Sequence, residues 1–456
     1  MTVRVPEHER LSLGNGVSLI LVPRRDVPLV TFNAVLRGGA LGDPTSRPGV
    51  ASLVAGLLEK GAGERSAYSF ADVVEGVGGS FGAGAGPEAI SVRGQFLARN
   101  QRLMLELVAD ALLRPMLDAS ELEDLAARRI ELIKAAKDSD PAELIGTYGR
   151  AFLFGDHPYG RPVFGSEASL AAIEREDALR YYAAQFGAER LILVLAGDID
   201  ADLLARSAAE SFSRWPPTSA PPAPLPRPRS LAGRRVLLVD CPGSAQTYFW
   251  IGNVGVDKRY PRRAALDLVN TLFGDRFTSL LNTELRIKSG LSYGARSSFF
   301  RGSVPGEFAL RSFAQTENTA RALELSLRTL ERLRSEGVSA EMLDSARAYT
   351  LGQYPLGLET AADWAAMLAE IELYGLGKSY VYDYPGQLAA VGVAEAQAVI
   401  EEAFPSADSV AIVAIGDAGR IRSAVAGYGP LAEMSLTDPE FVAPRAAEDE
   451  TRPRGG

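Results

Sequence analysis

Apolar residues along this chain follow two different periods. Near the start, "VSLILVPRRDVPLVTFNAVLRGGA" holds two β-rich apolar runs split by a charged, proline-containing turn, which predicts a pair of strands. "RRVLLVDCPGSAQTYFWIGNVGV" repeats that arrangement about halfway along, with Cys-Pro-Gly at the turn. Two further segments also match each other. "RLILVLAGDIDADLLARSAAESF" and "SVAIVAIGDAGRIRSAVAGYG" each read as a strand, a Gly-Asp pair and a helix. Matching openings and closings imply a duplicated unit of about 200 residues, too long a period for a solenoid.

Between those ends the apolar spacing becomes helical. "NQRLMLELVADALLRP", "SELEDLAARRIELIKAAKDSD", "TENTARALELSLRTLERLRSEG" and "SAEMLDSARAYTLGQY" carry apolar residues three and four apart, with charged opposite faces. "GVASLVAGLLEKGA" predicts a buried helix whose stripe is Val50, Leu53, Val54, Leu57 and Leu58. Strands at the ends of each half and helices in its middle define an α+β class: two homologous half-domains, each a mostly antiparallel sheet with helices packed on it. The seven prolines of "RWPPTSAPPAPLPRPRS" predict an extended, semi-rigid linker. The expected division is 1–213 and 231–435, joined by the linker 214–230. The charged, proline-bearing end from 436 to 456 is expected to be disordered.

Composition narrows the chemistry. With 57 acidic and 48 basic residues and no long charge run, the chain lacks the concentrated basic surface that nucleic acid requires. Cys241 is the only cysteine, so neither an intrachain disulfide nor a cysteine zinc site can form. His8 and His157 are the only histidines, which excludes a histidine-rich metal centre within this chain. No segment reads as a signal peptide or a spanning helix, so a soluble protein is expected, cytoplasmic or periplasmic.

Three stretches carry a resemblance. "LRGGALGDPTSRPGVASLVAGLLEKGA", "DHPYGRPVFGS" and "FGDRFTSLLNTELRIKSGLSYGARSSFF", in that order within a duplicated unit, are similar to the pitrilysin-type peptidases. These are the inverted zincins, whose relatives include the mitochondrial processing peptidase. The likeness runs from about residue 8 to 430 and implies that family's fold. Family members carry H-x-x-E-H on a helix and a glutamate ligand roughly 70–80 residues later. Here the motif positions fall on Ser52, Ala55 and Gly56, and the third-ligand position falls near Ile133, with Glu131 the nearest carboxylate. Serine is a poor zinc ligand, and alanine and glycine are none, so no metal is expected in this chain. Glu59 reads as a solvated or ion-paired residue.

The second half keeps more of the pattern. Family members carry an Arg and a Tyr seven apart that bind substrate near the scissile carbonyl, and the resemblance places them at Arg286 and Tyr293. Locally, "SLLNTELRIKSG" predicts a helix closed by Gly290 in a left-handed cap, and "LSYGARSSFF" predicts a strand. The bland alternative is an ion pair of Arg286 with Glu284 or another carboxylate, and a core-capping Tyr293. Elsewhere, the glycine-rich 75–88 reads as a strand or hairpin beside the zinc-less helix, able also to touch extended substrate. His157 reads as structural, and "KSYVYDYPGQ" as packing or chamber lining.

The resemblance therefore implies the non-metal, peptide-binding subunit of a heterodimeric metallopeptidase. It would be inactive alone, and a homologous H-x-x-E-H partner would supply the zinc. The alternative is an inactive scaffold subunit of the same fold. No motif supports an independent enzyme using other residues.

Overall fold

The computed structural model describes residues 5–218 and 224–442. Among the described residues, fourteen strands follow in chain order. The first eight are β1 (Glu9–Ser12), β2 (Ser18–Pro23), β3 (Leu29–Arg37), β4 (Gly61–Ala62), β5 (Arg65–Ser66), β6 (Ser80–Ala85), β7 (Ala89–Leu97) and β8 (Leu191–Gly197). The remaining six are β9 (Arg235–Asp240), β10 (Gln246–Val254), β11 (Ala295–Phe299), β12 (Glu307–Gln315), β13 (Ala411–Gly416) and β14 (Leu431–Ser435). Apart from the small β4–β5 hairpin they build two six-stranded sheets, β1-β2-β8-β3-β7-β6 and β11-β12-β10-β13-β9-β14.

Read in opposite directions, the two orders match strand for strand over five positions. β2, β8, β3, β7 and β6 correspond to β9, β13, β10, β12 and β11. Within this shared set only β2–β8 and β9–β13 are parallel. The sixth strands differ: β1 joins by an antiparallel hairpin, whereas β14 adds parallel to β9. The duplication expected from the repeated strand patterns is thus a duplication of topology, and the chain is α+β.

The chain divides into two compact units, each made of three stretches. One comprises 1–132, 162–224 and 351–385; the other comprises 133–161, 225–350 and 386–456. These differ from the contiguous division at 213 and 231, because each sheet is covered by a helix distant in sequence. In the first unit, β8 is buried along its whole length. Its Ile192, Val194 and Ala196, with Ile20, Val22 and Val35, meet Ala365, Leu368 and Ala369 of the helix Ala361–Tyr374. Arg37 donates to the carbonyls of Leu373 and Glu372 at that helix's C-terminal end, at 2.5 and 2.9 Å, satisfying acceptors the helix leaves open. Arg10 pairs with the Glu372 carboxylate at 2.6 Å.

In the second unit the corresponding cover is a helix that precedes the linker. Helices α1 (Val50–Leu57), α2 (Ala67–Gly76), α3 (Gln101–Leu113), α4 (Ala119–Ser139) and α5 (Ile145–Phe154) come first in the chain. Of these, α5 packs on β10 and β13. Gly149 permits the approach: a Cβ there would lie 2.5 Å from Cδ2 of the fully buried Trp250.

The end of the chain is ordered further than expected. Leu436 and Phe441 are buried, and the Phe441 ring meets Tyr148 edge-on at 5.0 Å, so residues 436–442 form a packed turn. Two apolar anchors outweigh the surrounding charge and proline. The rest of the expected tail, 443–456, and positions 219–223 of the linker lie outside the described residues. The linker's start is held to the first unit, with Thr218 N–H donating to Glu189 at 3.0 Å. Among the described residues no helix is long and apolar enough to cross a membrane.

Candidate functional site

Helix α1 forms as its apolar stripe predicts, and its start is fixed by two features. Gly49 adopts φ 101°, and the Asp43 carboxylate accepts from the N–H groups of Gly49 and Ala51 at 2.8 and 2.7 Å. Ser52 and Ala55 are buried, at 1% and 0% exposure, and Gly56 is half-buried. The space over this face belongs to α4. Arg129 donates from Nη1 to Ser52 Oγ at 2.6 Å and from Nη2 to the Ser52 carbonyl at 2.8 Å. A Cβ on Gly56 would lie 3.5 Å from the same Nη2. Burial lowers the Arg129 guanidinium to about 10, and no carboxylate among the described residues pairs with it.

A zinc ion does not fit this arrangement. Ser52 Oγ already accepts from a cation, Ala55 and Gly56 offer no donor atom, and Ile133 is an apolar side chain one turn beyond Arg129 on α4. Glu131 makes interactions of its own. No group of three His, Cys, Asp or Glu side chains among the described residues could hold a metal. Where the resemblance implies a metal ion, this chain carries its own fixed monovalent cation.

Glu59 departs from the expectation of a solvated or ion-paired residue. It is half-buried, and its carboxylate accepts the outward N–H of Ala83 in β6. Burial raises its carboxyl above the ordinary value, an effect the Ala83 bond and Lys60 only partly oppose. The glycine-rich segment forms β6, the edge strand of its sheet, packed beside α1 as expected. Glu59 thus covers part of an open edge.

The second-half pair has a different setting. Residues 283–288 wind as a π-helical turn, with Ser289 N–H and Oγ both bonding to the Glu284 carbonyl, at 3.3 and 2.7 Å. Gly290 closes it at φ 63°, the left-handed cap expected there. The strand is shorter than expected: β11 starts at Ala295, and Tyr293 sits in the turn before it. Ser292 Oγ causes this by bonding both the N–H and the carbonyl of Gly294, at 3.1 and 2.8 Å.

From that turn the Tyr293 ring lies 4.2 Å from the Arg286 guanidinium, with the Phe277 ring on Arg286 at 4.8 Å. Tyr293 is 74% exposed, so it caps no core. Glu284 does not engage Arg286; it bonds Lys288 at 2.9 Å and Arg332 at 3.0 Å. Arg286 has no carboxylate partner among the described residues. Its N–H groups and the Tyr293 hydroxyl are donors held by aromatic stacking, a geometry suited to receiving a developing oxyanion.

The other candidates have structural settings. Nδ1 of His157 accepts from Tyr159 N–H at 3.1 Å and its Nε2 meets the Pro226 carbonyl at 2.8 Å. His8 Nδ1 contacts the Pro6 carbonyl at 2.9 Å. Val381 and Tyr384 of "KSYVYDYPGQ" are packed inside the first unit, while Tyr382 is exposed. Burial raises the Cys241 thiol, which keeps it un-ionised at neutral pH. Sequence reasoning missed Arg129. Its only local signal was an arginine one turn before the third-ligand position.

A duplicated α+β unit with a peptidase-type helix whose metal positions are filled defines a class of protein, and the comparisons place it. The profile described as "Insulinase (Peptidase family M16)" matches residues 24–166, and "Peptidase M16 inactive domain" matches residues 172–349. The chain belongs to peptidase family M16. An uncharacterized zinc protease of Mycobacterium tuberculosis is 28% identical over 353 residues, covering 77% of this chain and 80% of that protein. A non-peptidase homolog, YmxG, of Helicobacter pylori is 23% identical over 339 residues, covering 73% and 77%. The crystal structure of a peptidase M16 inactive domain from Pseudomonas fluorescens shares the fold, with a TM-score of 0.83 at 23% identity. It covers 90% of this chain and 98% of that one.

Proposed function

We propose that this chain is the zinc-less subunit of a two-chain M16 peptidase and binds peptide substrate for a homologous partner carrying H-x-x-E-H and the zinc. One asymmetry supports the reading. The metal positions Ser52, Ala55 and Gly56 are closed by Arg129, whereas the half-buried Arg286 and the exposed Tyr293 stand stacked, with no carboxylate on Arg286 among the described residues. Arg286 N–H groups and the Tyr293 hydroxyl donate hydrogen bonds to the carbonyl oxygen of a bound peptide, and more strongly as negative charge develops on it. Hydrolysis itself belongs to the partner, within a chamber walled by both chains.

The test is to mix this chain with an H-x-x-E-H homologue from the same genome and follow a fluorogenic peptide. Cleavage by the mixture that exceeds the sum of the separate chains supports the reading. A stable complex without such a gain supports the second reading, an inactive scaffold subunit, which the name of the Helicobacter pylori relative favours.

A further inference from the structure

We propose that Arg129 forms a carboxylate-binding site in the first unit, receiving a carboxylate of a bound peptide beside Ser52. A half-buried guanidinium is normally matched by an acid, because an unpaired charge withdrawn from water is costly. Arg129 has none among the described residues; its two bonds both go to Ser52, one to the hydroxyl and one to the carbonyl. Those bonds anchor both terminal nitrogens, fixing the plane of the group. They leave Nε–H and a further N–H on each terminal nitrogen, and Nε–H with its neighbouring terminal N–H forms the parallel fork that a carboxylate meets with both oxygens.

Beside the fork, Ala55 and Gly56 put nothing larger than a methyl on α1, and Leu125 of α4 lies against Gly56, its Cδ1 3.3 Å from where a Gly56 Cβ would stand. Arg129 is half-buried and keeps some exposure to solvent. One carboxylate neutralises one guanidinium, whereas a phosphate dianion would bring a second charge with no partner. A peptide is the fitting carrier, because α1 also packs against the edge strand β6. There Glu59 holds the Ala83 N–H, which turns away from β7, while the flanking alternate residues Phe81 and Ala85 face the same way and leave their backbone groups on the open edge. The carboxylate can be the peptide's C-terminus or an acidic side chain.

The proposal concerns this chain alone and is tested without a partner or hydrolysis, so its failure leaves the two-chain reading untouched. Fluorescence anisotropy of the full chain is measured with three N-terminally labelled pentapeptides. These are pentaalanine with a free C-terminus, its C-terminal amide, and an amide ending in glutamate. At least one carboxylate-bearing peptide should bind about tenfold or more tightly than the plain amide, as for a charge-assisted bond. Which of the two binds identifies the source.

The preference should vanish in Arg129→Gln and shrink in Arg129→Lys, which keeps the charge without the fork. Equal binding of all three peptides, or none, overturns the proposal in the wild-type protein without any variant. So does a preference that survives Arg129→Gln, or competition by inorganic phosphate stronger than by acetate.

Discussion

The Arg286 guanidinium lies 4.2 Å from the ring of Tyr293 and is stacked there with no acid on it among the described residues, while Glu284, two residues before it, is bonded to Lys288 and Arg332. This contact contributes little to stability, because Tyr293 is largely exposed and an exposed cation–π pair is worth about 0.5–1 kcal/mol. Arg286→Ala and Tyr293→Phe should therefore each shift the unfolding free energy by less than about 1 kcal/mol in urea titrations. A larger loss would assign the pair a structural role.

Restoring the metal motif should not restore the metal. The triple variant Ser52→His, Ala55→Glu, Gly56→His still meets the Arg129 cation and lacks the third ligand at Ile133. Elemental analysis should find well below one zinc per chain. Adding Arg129→Ala and Ile133→Glu should raise zinc uptake, because the repelling charge is gone and a carboxylate completes the set. Stoichiometric zinc in the triple variant, or in the wild-type chain, would contradict the site as described.

Glu59 predicts a pH dependence. Its carboxyl is raised above the ordinary 4.5 by burial, so the folded state holds this proton more tightly than the unfolded state does. Well above the raised value the group is ionised in both states and the burial penalty is fully present. The penalty fades as pH falls through the raised value and is gone well below 4.5, where both states are protonated. Glu59→Gln keeps the acceptor for Ala83 and removes the charge. Its melting temperature should exceed the wild type's at pH 7, and the gap should narrow as the pH approaches 4. A lower melting temperature at pH 7 would show that the charge is needed on Ala83.

What the sequence revealed and what it hid divide along physical lines. The stripe of α1, the empty ligand positions, the Gly290 cap and the strand patterns that repeat are local, and each was legible from spacing or residue type. Arg129 was not, because its partner Ser52 lies 77 residues away and an arginine on an amphipathic helix reads as solvated. The exchanged covers, α5 and the helix Ala361–Tyr374, were hidden for the same reason, since periodicity shows that a face is buried but not against what. Tyr293 was misplaced by two residues because a Ser292–Gly294 turn looks like the start of a strand.

The exchange can be tested at Gly149. A Cβ there would stand 2.5 Å from the indole of Trp250, which is fully buried and has nowhere to move. Gly149→Ala should cost about 1–3 kcal/mol, the usual penalty for overpacking a filled core. Chemical denaturation would register it as a lower midpoint at unchanged slope. An unaltered midpoint would mean that α5 does not pack on β10 as described.

The proposed role of Arg286 and Tyr293 lies in a partner's active site. The direct measurement is the peptidase rate of the reconstituted two-chain complex with Arg286→Ala in this subunit, at full complex formation. Removing an oxyanion donor lowers kcat by about 10²–10³-fold, and a loss of that order is predicted here with the complex intact. An unchanged rate would contradict the assigned role and leave this chain as a scaffold.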